Sequence, residues 1–133
     1  MASSPCCGAT VRITRSISIE DVERFAELSR DRNPVHFDEE VARRLLYRGR
    51  VAHGLLGVAL ISGGLTQLMG DGNVWLTSSI KFERPIYIGD ELTATLVVVE
   101  VSRRNVATID VSVANQSGEQ LISGQVQSVR VGR

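Results

Sequence analysis

The sequence predicts one α+β domain in which an antiparallel sheet wraps a long central helix. Two observations carry this. Residues 55–69 are apolar on nearly every side, as a helix buried in a core is. After them come alternating and β-branched stretches separated by turn residues, which read as successive antiparallel strands. With 133 residues, 43% of them hydrophobic, the chain has the size of one ordinary domain and the means to build a core.

Residues 1–8 are small and polar, which predicts a disordered tail. Residues 10–15 alternate as a short strand does. Ser18 is a good helix N-cap, with Asp21 three residues on, and Val22, Phe25, Ala26 and Leu28 give that helix its apolar face. A loop over residues 31–36 follows. Asp38 then caps a second short helix, residues 39–46.

The buried helix is predicted over residues 53–70, which at ~1.5 Å per residue makes it roughly 25 Å long. Gly63 and Gly64 inside it each cost about 1 kcal/mol relative to alanine. That cost implies a close neighbour or a bend. Val74, Leu76, Ile80 and Phe82 alternate with more polar positions as one face of a strand, and Pro85 and Gly89-Asp90 mark a bend. Residues 92–101 form a long β-branched strand, turned by Arg103-Arg104-Asn105 into residues 106–114. Ala107, Ile109, Val111 and Val113 share one face of that strand. Residues 115–118 read as a hairpin loop, and residues 121–131 close the sheet, with Gly124 expected at a bulge.

Fifteen basic and fifteen acidic residues cancel, which predicts no affinity for nucleic acid or membrane surfaces. The run at residues 55–69 is too short, and too interrupted by glycine and polar residues, to span a bilayer. Residues 1–9 lack the basic and apolar regions of a secretory signal. Cys6 and Cys7 are adjacent, which suits neither an unstrained disulfide nor a zinc framework, and they are expected as reduced thiols. Together these features predict a soluble, cytoplasmic protein.

Asp31-Arg32-Asn33-Pro34-Val35-His36 concentrates an acid, an amide and an imidazole around a proline. Pro34 fixes its own φ and pushes Asn33 towards an extended conformation, so Asp31 and His36 converge from two directions on a bent loop. A carboxylate accepts a proton, and an imidazole gives or takes one near neutral pH. Such a pair can hold and activate a water. Val51-Ala52-His53-Gly54 leads into the long helix, whose first turn has unsatisfied N–H groups and a positive dipole end. Gly54 has no Cβ, so a ligand oxygen can approach its N–H closely. A water-activating pair beside an oxyanion donor is equipment for adding water to an activated carbonyl compound, or removing it. Asn33 is expected to tie the loop to nearby backbone. His53 is read as structural support at the helix start, because the spacing of Asp31, His36 and His53 does not itself imply a metal site.

The run Phe25-Ala26-Glu27-Leu28-Ser29-Arg30-Asp31-Arg32-Asn33-Pro34-Val35-His36-Phe37-Asp38, with Ala42, Tyr47, Val51-Ala52-His53-Gly54-Leu55-Leu56 and Phe82-Glu83-Arg84-Pro85-Ile86-Tyr87-Ile88-Gly89-Asp90-Glu91-Leu92, resembles the MaoC-like, (R)-specific enoyl-CoA hydratases. The resemblance runs from about Ile17 to the C-terminus. Arg30 departs from it, standing where many members carry glycine. The resemblance implies a single hot-dog domain over residues 1–133, usually a homodimer whose sheets join edge to edge. It implies a trans-2-enoyl thioester as substrate, an (R)-3-hydroxyacyl-CoA as product, and a reversible reaction. Asp31 and His36 would be catalytic, supported by Asn33, Pro34 and His53. Gly54 would bind the thioester carbonyl, with Ser62 beside the water and Leu65 in the acyl pocket.

No metal and no cofactor are expected, coenzyme A being part of the substrate. Arg43, Arg44, Arg48, Arg50, Arg103 and Arg104 read as solvated surface and are placed outside the site. Three rivals remain. The same chemistry can run as dehydration on an acyl-carrier-protein thioester, since both carriers share the phosphopantetheine arm. A thioesterase on this fold fits the motifs less well. A non-catalytic acyl-CoA-binding module would have no need of an Asp/His pair. Polyester synthesis and fatty-acid oxidation are both open as pathways.

Overall fold

A computed structural model describes residues 5–131. In chain order the elements are β1 (Thr10–Ser16), α1 (Ile19–Ser29), a 3₁₀ turn (Pro34–His36), α2 (Glu39–Arg44), α3 (Leu55–Met69), β2 (Asn73–Phe82), β3 (Glu91–Val101), β4 (Val106–Ala114) and β5 (Gln120–Arg130). The five strands form one antiparallel sheet in the order β1-β3-β4-β5-β2. The hairpins β3–β4 and β4–β5 make its centre. β1 and β2, separated in sequence by the helices, become its edges.

The core lies between α3 and one face of the sheet. Ile61, Leu65 and Met69 of α3 meet alternate residues of the central strands, Leu92, Leu96 and Val98 of β3, Ile109 and Val113 of β4, and Ile122 and Val126 of β5. Gly64 makes this approach possible. A Cβ at that position would lie 2.7 Å from Leu96 Cδ1, whereas one at Gly63 would meet only Ile13 Cδ1 at 3.6 Å. The close neighbour that the paired glycines imply therefore belongs to Gly64. Gly64→Ala should lower stability by about 1–3 kcal/mol through overpacking, only partly offset by better helix propensity. Chemical denaturation of the purified variant checks this.

Several expected elements differ in detail. The long helix starts at Leu55, two residues later than expected, because residues 51 and 52 are held as extended chain. Val51 bridges to Tyr87, and Ala52 N–H donates to Ile86 O at 2.7 Å. Nor is α3 buried all round: Leu55 is 54% exposed, and Ser62, Gly63, Thr66 and Gln67 face outward. In β2 the alternation breaks at a bulge between Trp75 and Thr77. The extra residue shifts parity, so Trp75 and Ile80 pack on the core while Val74, Leu76 and Phe82 are exposed. Gly124 is not a bulge: it pairs in register with Ile80 and Val111, and its missing Cβ makes room for Ser79 O at 2.1 Å from where that atom would be.

The helix caps follow the sequence more closely. Ser18 and Asp21 form a reciprocal capping box on α1, and Asp38 Oδ1 accepts from Glu40 and Val41 N–H at the start of α2. Arg30 ends α1 in the left-handed region at φ 64°, the conformation that makes glycine the favoured residue there. Of the tail expected over residues 1–8, residues 1–4 lie outside the described residues. Cys7 and Gly8 are tied to β3, through Cys7 Sγ to Val99 O at 3.2 Å and Gly8 N–H to Val98 O at 2.7 Å.

Candidate active site

Asp31 sits one residue beyond the left-handed end of α1. Its N–H donates to Ser29 Oγ at 3.1 Å, and its Oδ1 accepts from Asn33 N–H at 3.2 Å. That local turn uses one carboxylate oxygen and leaves Oδ2 free. Asn33 is extended at φ −53°, ψ 125°, as the following proline requires, and its Oδ1 caps the 3₁₀ turn by accepting from Val35 N–H at 3.2 Å. Asn33 and Pro34 thus set the bend that carries His36 back towards Asp31.

His36 is buried within the 3₁₀ turn, not borne on an open loop. Its Nδ1 lies 2.8 Å from Val51 O. A carbonyl only accepts, so Nδ1 carries the hydrogen and the Nε2 lone pair is free in the neutral ring. Nε2 lies 3.9 Å from Asp31 Oδ2. That gap exceeds a hydrogen bond. It is right for one bridging water, which can donate one proton to the carboxylate and one to Nε2. Asp31 has half its side chain exposed, so the pair opens to solvent on the carboxylate side.

His53 is drawn into the same cluster. Its ring stacks on His36 with centroids 3.7 Å apart and touches Phe25, centroids 4.6 Å apart. Its Nε2 donates to the Asp31 main-chain O at 3.0 Å and lies 4.0 Å from Oδ2, while Nδ1 is buried with no partner among the described residues. Burial pushes its pKa below the ordinary histidine value. The bond to the Asp31 carbonyl opposes this, the neighbouring His36 lowers it further, and the Asp31 carboxylate raises it. Donor atoms of Asp31, His36 and His53 lie within 4.8 Å of one another, so among the described residues these three could hold a metal. The fit is poor, because His53 Nε2 is spent on a carbonyl and two stacked rings do not aim their lone pairs at one point.

Gly54 follows His53 at the N-terminus of α3. Among the described residues nothing accepts from its N–H, and no side chain caps the helix. A cavity of about 340 Å³ opens beside it, walled by Tyr47, Val51, Phe82, Pro85 and Ile86. A Cβ at Gly54 would sit 2.8 Å from the Phe82 ring, so only glycine fits beneath that ring. Ser62 and Leu65 lie roughly 12 and 16 Å down the helix axis from Gly54 at ~1.5 Å per residue. Ser62 is exposed and Leu65 is buried in the core. Among the described residues no hydrogen bond joins either of them to the Asp31–His36 pair.

Val51, which orients His36, and Phe82, which covers Gly54, are not marked for these roles by the sequence motif. Both act through backbone or through space, and residue identity carries no signal of either.

Residues 7–120 match the MaoC like domain family. The chain belongs to that family. It is 40% identical over 92 residues to an (R)-specific enoyl-CoA hydratase of Rhodospirillum rubrum, covering 68% of this chain and 64% of that protein. It is 32% identical over 120 residues to an (R)-specific enoyl-CoA hydratase of Aeromonas caviae, covering 89% and 90%. The solved (R)-hydratase from A. caviae superposes with a TM-score of 0.92 at 31% identity, over 98% of this chain and 100% of that one. The hot-dog architecture implied by the sequence is the architecture of this chain. Among further relatives is a mitochondrial 3-hydroxyacyl-[acyl-carrier-protein] dehydratase of Arabidopsis thaliana, 40% identical over 85 residues, covering 64% of this chain and 51% of that protein. Hydratases and dehydratases of these kinds are hydro-lyases.

Proposed function

We propose that the chain is a hydro-lyase that hydrates trans-2-enoyl-CoA thioesters to (R)-3-hydroxyacyl-CoA, reversibly, in the cytoplasm. The observation that carries this is the 3.9 Å gap between Asp31 Oδ2 and His36 Nε2, both free to accept a proton from one water. The thioester carbonyl would accept from Gly54 N–H at the positive end of α3, which stabilises the enolate as charge develops there. The water oxygen adds to C3 as one of its protons passes to the pair, and a proton from the pair reaches C2. His53 and Asn33 hold the pair in place. The places expected of Ser62, beside the water, and of Leu65, in the acyl pocket, draw no support from positions on the outward and core-facing sides of α3. The (R) outcome is supported by the names of the R. rubrum and A. caviae relatives.

Crotonyl-CoA tests the proposal. Loss of the enoyl-thioester absorbance, with (R)-3-hydroxybutyryl-CoA as product, is expected. Binding without absorbance loss would favour an acyl-CoA-binding module. The Arabidopsis relative favours a second reading, dehydration on a carrier-protein thioester. A higher kcat/KM for the carrier-protein thioester than for the CoA thioester would select it. No metal is required in either, so dialysis against EDTA should leave turnover unchanged, and zinc-dependent recovery of lost activity would refute that.

We further propose a homodimer. β2 is an edge strand with Val74, Leu76 and Phe82 exposed, and the outward face of α3 shows Leu55. Pairing that edge with a second copy would cover both. Light scattering at micromolar concentration should give twice the chain mass, and a monomer mass would contradict this. No helix of the described residues is long and apolar enough to cross a membrane.

A further inference from the structure

His36 is anchored by two consecutive residues of the segment that enters α3. Val51 O accepts from the imidazole at 2.8 Å, and Arg50 Nε donates to the His36 main-chain O, also at 2.8 Å. That carbonyl closes the 3₁₀ turn. The N–H groups that follow it, of Phe37 and Asp38, both turn back to Pro34 O, so among the described residues no backbone donor reaches His36 O. Arg50 supplies the missing partner. Its guanidinium is half-buried, with its carbon 5.8 Å from the Phe37 ring centroid, and among the described residues no carboxylate pairs with it. A guanidinium withdrawn from water is ordinarily matched by a carboxylate. Here its directed bond goes to the residue that bears the reacting imidazole.

The anchors are themselves fixed. Val51 N–H donates to Val35 O at 3.3 Å, Val51 bridges to Tyr87, and Ala52 N–H donates to Ile86 O. Residues 50–52 therefore form a short rail, pinned on one side to residues 86 and 87 and holding the 3₁₀ turn on the other. Val51 holds the turn at the His36 ring and at Val35 O, and the charge-assisted Arg50 bond adds a third hold, on the His36 main chain itself, which constrains where Nε2 points relative to Asp31 Oδ2.

We propose that Arg50 is a positioning residue for the reaction: it holds the 3₁₀ turn so that His36 Nε2 faces the water shared with Asp31. The inference rests on the reading of His36 as an acid–base group. Misplacing a reacting group by ~1 Å costs on the order of 10²-fold, so a partial loosening is read as a fall in kcat of roughly 10- to 10²-fold. Arg50 pairs with no carboxylate among the described residues and is not among the residues that wall the cavity at Gly54, bordering instead a separate opening with Glu39, Tyr87 and Asp90, so KM for crotonyl-CoA should move by less than about threefold if it acts only by orienting His36.

Arg50→Met and Arg50→Lys give the test, because both keep a long stem and only lysine keeps a charged donor. Circular dichroism establishes that each is folded. The expected result is a kcat loss with Arg50→Met, nearly constant KM, and partial recovery of kcat with Arg50→Lys. Should Arg50→Met fail to fold, Arg50→Gln takes its place and is read in the same way. Added methylguanidine should raise the kcat of Arg50→Ala, which a purely structural loss would not allow. A folded variant with wild-type kcat, or a loss confined to KM, overturns the inference. If the wild-type protein itself leaves crotonyl-CoA unchanged, the proposed reaction fails instead.

Discussion

Asp31→Asn should reduce turnover of crotonyl-CoA by roughly 10²- to 10⁴-fold, the usual contribution of a positioned acid–base group. The substitution keeps the shape and the local turn. An asparagine oxygen can still accept from Asn33 N–H, the bond that Asp31 Oδ1 makes now. What disappears is the negative charge at Oδ2, 3.9 Å from His36 Nε2 and 4.0 Å from His53 Nε2. The Asp31 side chain is half exposed and supports no part of the core, so its replacement should leave the circular dichroism spectrum unchanged. A folded Asp31→Asn protein with near wild-type turnover would move the acyl-CoA-binding reading ahead.

Gly54→Ala should cost on the order of 10²-fold in kcat, because it disturbs a proposed oxyanion donor. The added methyl would lie 2.8 Å from Cδ1 and Cε1 of Phe82. Either the ring swings out or the chain at residues 53–55 shifts. If the chain shifts, the Gly54 N–H leaves its place, and His53, whose Nε2 holds the Asp31 carbonyl, moves with it. Phe82 is 53% exposed at the end of edge strand β2, so it can be trimmed at little cost to the core. The double variant Gly54→Ala/Phe82→Ala should then recover much of the lost rate. No recovery would mean that the damage lies in the backbone of Gly54 and not in the clash. Full activity in Gly54→Ala alone would contradict the expected loss and mean that the Phe82 ring yields while the Gly54 N–H keeps its place.

Much of the fold was legible because its signals are local. Ser18 with Asp21, Asp38 before α2, and the alternation of Ala107, Ile109, Val111 and Val113 each need only near neighbours to be read. Misreadings arose where a distant strand decides. The start of α3 is set by pairing of residues 51 and 52 with 86 and 87, and the inward face of β2 is set by one bulge that changes its parity. Gly124 serves a close approach of Ser79 O from the neighbouring strand, which no turn signal reveals.

The site divides in the same way. Asp31, Asn33, Pro34 and His36 lie within one bend, and proline chemistry foretells their convergence. His53, far along the chain, reaches Asp31 only through tertiary structure. Val51 O and Arg50 work through the backbone of, and bonds to, a residue that the motif names without showing what holds it.

Asp31 and His36 are proposed to act as one unit on one water. A double-variant comparison measures it. The quantity is kcat/KM for crotonyl-CoA in Asp31→Asn, His36→Ala and the combination, all folded by circular dichroism. If the two share a water, removing either already breaks the unit, and the double variant should be about as slow as the slower single variant. If the two losses multiply in the double variant, each residue works independently, and the shared-water mechanism is wrong.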